Sequence, residues 1–246
     1  MKRLALHVWA GSLHVSTLLT IIFFFTFPQY LDWKAVRGSG RAPLGLLPVV
    51  FAALVGPAFV LLSERQIHFV PRALVPAVRT SAIELLLWLA FVTWHPTGRV
   101  VWNLGAVSAG PLNLLYWIAA ALAGYSLTLA PGGFGYFTGA GPLLEYASRR
   151  NPAPPQFVPR SLYRFSRHPF ETWTVAALWI TPLATVDRLL WAALMTAHLV
   201  VAAEVLERRR ARCFGERYRQ YQAQVPKWVP FARKPLPRQS GTPGRS

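Results

Sequence analysis

Residues 189–206 read LLWAALMTAHLVVAAEVL, and residues 207–215 continue ERRRARCFG. At 1.5 Å per residue the first stretch covers about 27 Å, close to the ~30 Å hydrocarbon core of a bilayer. It closes on Glu204, Glu207 and a run of arginines, the pattern of a helix leaving hydrocarbon for a lipid surface. Working outward, five more apolar segments can be drawn, at 4–27, 45–62, 80–94, 112–129 and 172–186. Composition agrees: 53% of the 246 residues are hydrophobic and 14% are charged, whereas soluble domains carry roughly 25% charged residues. The expected fold is all-α, a polytopic transmembrane helix bundle of five to six spans. Segment 172–186 reaches only about 22 Å, and Thr181-Pro182 would kink it. The last two segments are therefore expected to form either two full spans or a helical hairpin that crosses part-way.

The net charge is +17. No nucleic-acid motif accompanies it, so basic loops against anionic lipid head groups are the expected partners, not nucleic acid. With the N-terminus inside, only Lys34, Arg37, Arg41, Arg99 and Arg188 fall outside, and the other 21 of the 26 Lys and Arg fall inside. That bias predicts six segments with both termini cytoplasmic, as in a bacterial inner-membrane protein. Segment 4–27 is longer than a signal core and no small-x-small cleavage site follows, so it is expected to be the first span. The single cysteine, Cys213, excludes an intrachain disulfide framework and a CxxC metal site. Three regions are expected. Residues 1–130 hold the N-terminal spans, and residues 131–233 a long inner loop with the C-terminal membrane hairpin and a cofactor-binding segment. Residues 234–246 are a Pro-, Arg-, Ser- and Gly-rich tail with a disordered composition.

Polar chemistry concentrates at the inner face. Arg167-His168-Pro169 enters the fifth segment, where Pro fits a first helical turn. Arg and His there lie at the positive helix end, suited to a carboxylate or phosphate; the plainer reading is a topology anchor and an interfacial histidine. Glu204 and Glu207 share a face at the end of the last span, either as a salt-bridged helix end or as ligands for a cation. Phe214-Gly215 is expected to stop the helix. Tyr218 and Tyr221 follow on a second amphipathic turn, as an interfacial belt or as faces for an onium cation.

The stretch from Tyr163 to Phe231 resembles the C-terminal half of the integral-membrane methyltransferases typified by isoprenylcysteine carboxyl methyltransferase and phospholipid methyltransferases. That pattern is Arg-His-Pro, an acidic pair, Phe-Gly-x-x-Tyr-x-x-Tyr and Val-Pro. It is matched by Arg167-His168-Pro169, Glu207, Phe214-Gly215, Tyr218, Tyr221 and Val225-Pro226. The whole chain, with its Trp94-His95-Pro96 segment, more closely resembles the bacterial methanethiol S-methyltransferase branch. The resemblance implies S-adenosylmethionine as methyl donor and a small thiol or lipid-like acceptor arriving from the bilayer. It implies Arg167, His168 and Pro169 near the donor's carboxylate end, and Glu207, Tyr218 and Tyr221 near its amino or sulfonium end. It also implies His168 as the base for a thiol, with no metal, the protein contributing mainly alignment. The pattern departs at Glu171 and Trp173, where the family has Tyr and Gly, and at Leu206, the first of the acidic pair. Glu204 or Glu171 is left to supply the missing charge.

Glu84, His7, His14 and His198 are the other ionisable groups inside spans, where such groups mark function or interhelical hydrogen bonds. Two alternatives stand beside the enzyme: a catalytically silent relative that binds lipid or a partner through its basic face, and a redox protein whose histidines ligate haem.

Overall fold

Hydrocarbon offers a backbone no hydrogen-bond partners, so apolar runs crossing it close their bonds internally as helices. A computed structural model of the chain describes residues 2–37, 45–64, 70–130, 132–148 and 159–228. The expected basic tail 234–246, the Asn151-Pro-Ala-Pro-Pro stretch, Phe231, and Arg41, Arg65, Arg149 and Arg150 lie outside the described residues. In chain order the elements are α1 (Lys2–Arg37), α2 (Leu46–Glu64), α3 (Val75–Thr93), β1 (Val100–Asn103), α4 (Ala106–Thr128), α5 (Gly133–Thr138), α6 (Ala140–Ala147), a 3-10 turn (Ser161–Arg164), α7 (Pro169–Trp179), β2 (Leu183–Thr185) and α8 (Val186–Gln224). Among the described residues, α1, α3, α4 and α8 are long and apolar enough to cross a membrane, and α2 holds the shorter apolar stretch Leu46–Leu62. This is the all-α membrane bundle that the apolar runs predict. The inner loop predicted after residue 130 contains α5, α6 and the 3-10 turn.

The fifth segment does not kink at Thr181-Pro182; it ends there. Proline disfavours a helical residue before it, and Ile180 already has extended backbone (φ −78, ψ 105). The chain then runs extended into β2, which pairs antiparallel with β1 through Val100↔Thr185, Trp102↔Ala184 and Asn103↔Leu183. Since β1 joins α3 to α4, the bend between α7 and α8 lies level with the α3–α4 turn. The 11 residues of α7 reach only about 16 Å, and the extended residues 180–185 add about 3.3 Å each. Together they reach about 36 Å, enough to cover the length of α8 from Val186 to Glu207, about 31 Å. Both arms of the hairpin therefore run from the ribbon end to the opposite end of the bundle.

The centre is packed by rings. Trp191 is fully buried, with Phe24, Phe27, Phe91 and Trp94 at ring distances of 5.6, 5.0, 5.4 and 5.9 Å. At the opposite end, Gly139 has φ +79, and a Cβ there would stand 2.5 Å from the Ala77 nitrogen. Only glycine lets the α5–α6 elbow seat against the start of α3. Between α1 and α3, Ser16 and Thr17 both donate to Glu84, Ser16 at 2.7 Å, and the Trp88 indole donates to Thr20 at 2.9 Å. Glu84 is thus bound into an interhelical hydrogen-bond set.

The ribbon end is locked by buried charge. Arg188 donates to Asp32 of α1 at 2.5 Å, and its guanidinium lies 5.5 Å from the Tyr116 ring of α4. Asp187 accepts from the Trp94 indole at 3.1 Å and from the backbone and hydroxyl of Thr97 at 2.9 and 2.7 Å. Asp32→Ala strands a buried guanidinium, an arrangement that costs about 3–5 kcal/mol. Thermal unfolding in detergent should fall accordingly, and Asp32→Ala combined with Arg188→Met should recover much of the loss.

Candidate functional site

At the far end of the bundle from the ribbon, the Glu207 carboxylate gathers two distant stretches. Its Oε2 accepts from Arg167 Nη1 at 2.7 Å, and its Oε1 from His168 Nε2 at 2.9 Å and from the Tyr218 hydroxyl at 2.7 Å. The Gln222 amide also donates to Oε2. A straight helix would place residues 207 and 218 about 16 Å apart. The contact exists because α8 breaks at Gly215, which has φ 55 and ψ −132, a conformation that glycine adopts most readily. The expected stop at Phe214-Gly215 is therefore a turn that folds the following helix back over Glu207.

The returning segment is stitched to the loop before α7. Tyr221 donates to the Tyr163 carbonyl at 2.5 Å, and the Arg167 amide donates to Pro226 O at 3.0 Å. Ser166 Oγ donates to the carbonyls of Lys227 and Trp228 at 3.2 and 3.1 Å, and Thr172 Oγ1 to Trp228 O at 3.0 Å. The Trp228 ring stands 5.5 Å from the His168 ring. Arg210, one turn beyond Glu207, donates to the Arg167 carbonyl at 3.3 Å and lies 6.0 Å from the Tyr163 ring.

Pro169 opens α7 as its first residue, with His168 as the N-cap. The His168 ring is fully buried, and its Nδ1 stands 3.3 Å from Oε1 of Glu171, which is also buried. Glu171 sits in the first turn of α7, where the helix dipole favours a carboxylate. Burial alone would push His168 down, but the Glu171 and Glu207 carboxylates against its two nitrogens outweigh it and raise the ring above its usual value. Burial likewise pushes the Glu207 carboxyl up, and the donors His168, Tyr218 and Gln222 overcome this and hold it at about 2.

The structure thus brings together Arg167, His168, Pro169, Glu207, Tyr218 and Tyr221. Glu204 is turned away: its carboxylate is half exposed and pairs with Lys227. Of the two candidates for the missing charge, Glu171 is the one against His168. Sequence reading did not single out Ser166, Arg210, Gln222 or Trp228. Arg210 is three residues after Glu207 and Gln222 four after Tyr218, so helical spacing was a usable signal for those two. Ser166 and Trp228 act through contacts with distant backbone, for which no local pattern exists. The span histidines lie elsewhere. His7 and His14 place Nδ1 on their own helix carbonyls at 2.8 and 3.0 Å, and His198 packs edge-on against Phe59 at 5.8 Å.

Known proteins carry a related sequence. A methanethiol S-methyltransferase from a Pseudomonas species is 32% identical over 164 residues, 66% of this chain and 62% of that protein. The Crocosphaera subtropica methanethiol S-methyltransferase is 28% identical over 171 residues, 68% of this chain and 65% of that protein. This chain resembles the methanethiol S-methyltransferases. It spans less than two thirds of the length of those two relatives. The match to the methanethiol S-methyltransferase of Mycobacterium tuberculosis is broader, 27% over 212 residues, covering 80% of this chain and 84% of that protein. No family model and no solved structure matches the chain.

The site's pH response follows from its two hub groups. Glu207 titrates below its ordinary 4.5, so its contribution is complete above that value and is lost as the pH falls toward about 2. His168 titrates above its ordinary 6.5, so its contribution is complete below 6.5 and fades as the pH rises through the raised value. Stability measured by thermal unfolding should therefore be greatest between these limits, and Glu207→Gln should flatten the acid side.

Proposed function

We propose that this chain is an integral-membrane methyltransferase that moves a methyl group from S-adenosylmethionine to a small thiol at the cytoplasmic face of a bacterial inner membrane. The single observation carrying the reading is the convergence of Arg167, His168 and Tyr218 on Glu207, the residues of the ordered motif. The relatives support the small thiol, and the charge bias supports the orientation.

The residues fit such a donor chemically. Arg167 Nε is buried without a hydrogen-bond partner among the described residues, an N–H available to a carboxylate. Tyr163, Tyr218 and Trp228 offer aromatic faces at the same end, suited to an onium charge. When bound, S-adenosylmethionine supplies a methyl group activated by its positively charged sulfur. The chain's own residues do the rest. Arg167 and His168 would hold the donor's carboxylate end, with Glu207 keeping both cations in register. The segment after Gly215 excludes water from above. A thiol beside His168 would meet a positive charge, which favours its thiolate; the ring would assist deprotonation through that charge, with the proton passing to solvent.

A second reading, a silent relative, is favoured by one observation: both oxygens of Glu207 are already occupied by protein donors. Calorimetric titration of the purified protein with S-adenosylmethionine separates the two. The enzyme binds it, and Glu207→Gln weakens binding tenfold or more, about 1.4 kcal/mol. It also releases S-adenosylhomocysteine with methanethiol, or with a prenylated cysteine, in an acceptor screen. A protein that binds no donor and turns over no acceptor is the silent relative.

A further inference from the structure

Both ring nitrogens of His168 face carboxylates. Nε2 lies 2.9 Å from Oε1 of Glu207, and Nδ1 lies 3.3 Å from Oε1 of Glu171. The Glu207 contact is a hydrogen bond, while at 3.3 Å Glu171 stands beside Nδ1 without closing one; a neutral imidazole has one N–H and one lone pair, so it offers no charge to the second carboxylate. The doubly protonated ring presents an N–H to each side. Glu171 is itself buried and fixed on the first turn of α7.

We propose that Glu171 is a positioning residue of the methyl-transfer site: with Glu207 it brackets the His168 ring and holds it as an imidazolium, so that His168 and Arg167 present two adjacent positive charges to the donor's carboxylate. The inference rests on the function proposed above and deepens it by assigning the state in which His168 works. Glu171 occupies a position where the resembled motif has tyrosine, which could offer a hydroxyl but no charge at neutral pH.

The groups facing the bracket come from every element around it. The loop before α7 contributes Arg167 and the Tyr163 phenol. Helix α8 contributes Glu207 and Arg210, with Tyr218 returning after Gly215. The terminal segment contributes Trp228 and Lys227, the latter tied to Glu204. Burial pushes the Tyr163 phenol up to about 12 and raises Tyr218 as well, so both stay neutral. Arg167, Arg210 and an imidazolium then stand against Glu171 and Glu207, leaving one net positive charge. With a neutral ring the cluster carries none, and its attraction for a carboxylate falls.

The test is a titration of the histidine rings by NMR, using the intact protein in nanodiscs. His168 is assigned by the signal lost in His168→Gln. In the wild type, His168 should titrate above its ordinary 6.5. Glu171→Gln should lower the midpoint by at least one pH unit, and Glu171→Asp should keep it near the wild type. Donor affinity gives a second readout. Between about pH 6 and about pH 8.5, Glu171→Gln should lose tenfold or more of its own affinity for S-adenosylmethionine as the ring gives up its charge, whereas the wild type should change little. A purely structural role would weaken binding equally at both. The proposal is overturned if Glu171→Gln leaves the His168 midpoint unmoved, or if the wild-type ring titrates below its ordinary value. That last measurement decides the matter even if Glu171→Gln fails to fold. The ring titration needs no donor, so a protein that binds none defeats the function proposed above while the bracket is still judged.

Discussion

One carboxylate organises the end of the bundle that lies away from the ribbon. Glu207 is separated from Arg167 by 40 residues of chain, yet its oxygens take a guanidinium, an imidazole, a phenol and an amide. A carboxylate has about four lone-pair sites, and four donors fill them. This satisfaction is what lets a charge sit at the end of a spanning helix. An unpaired carboxylate there would be expensive, and so would the cations it leaves behind. Three segments are bound together through it: the loop before α7, the trunk of α8, and the segment that returns after Gly215, which also packs Tyr218, Tyr221 and Val225 against Ala211 and Phe214.

The two ends of α8 show why the fold needs both polar centres. Near its start, Arg188 is fixed to Asp32, and the neighbouring Asp187 is fixed to Thr97 and Trp94. At its exit, Glu207 is fixed to Arg167 and His168. Between them lies about 28 Å of continuous helix, packed by Trp191 and Met195 in the ring cluster. Apolar packing alone is weakly directional in lipid, because the tails are as apolar as the side chains. The two charged locks set the rotation and axial position of α8, and the rings then fill the space that this leaves. The bent arm opposite, α7 with its extended continuation into β2, must match that length, which explains why its C-terminal part is drawn out into strand.

Much of this was legible in the sequence, and the remainder has identifiable causes. The spans announced themselves because hydrocarbon demands long uncharged runs, and the polar residues at the exit of the last span stood out for the same reason. Arg167, His168, Glu207 and Tyr218 were read as one constellation, and the structure places them in mutual contact. The route of α7 was not legible: an apolar run of that length fits a short span or a partial hairpin equally, and the pairing of β1 with β2 that decides it joins residues 80 or more positions apart. Glu204 and Glu207 looked equivalent because they share a helical face. They part because the returning segment brings Lys227 to one and Tyr218 and Gln222 to the other, a distinction that only the break at Gly215 creates.

The departures from the resembled motif make sense as a relocation of charge. The motif carries an acidic pair on the last helix, and here its first member is Leu206. Adjacent helical positions point about 100° apart, so a carboxylate at 206 would not share the donors that Glu207 gathers. Glu171, on α7, instead meets the opposite side of His168, so the site keeps two carboxylates against its cations, arranged around the ring rather than along one helix. Trp173 belongs to a different surface: its ring packs into the cluster formed by Phe25, Tyr116 and Ala120, on the side of α7 that faces α1 and α4. Of the three departures, one fills the helix interface and the other two offset each other in charge. Under the function proposed, an altered motif of this kind would keep two carboxylates at the site while changing which helix supplies the second.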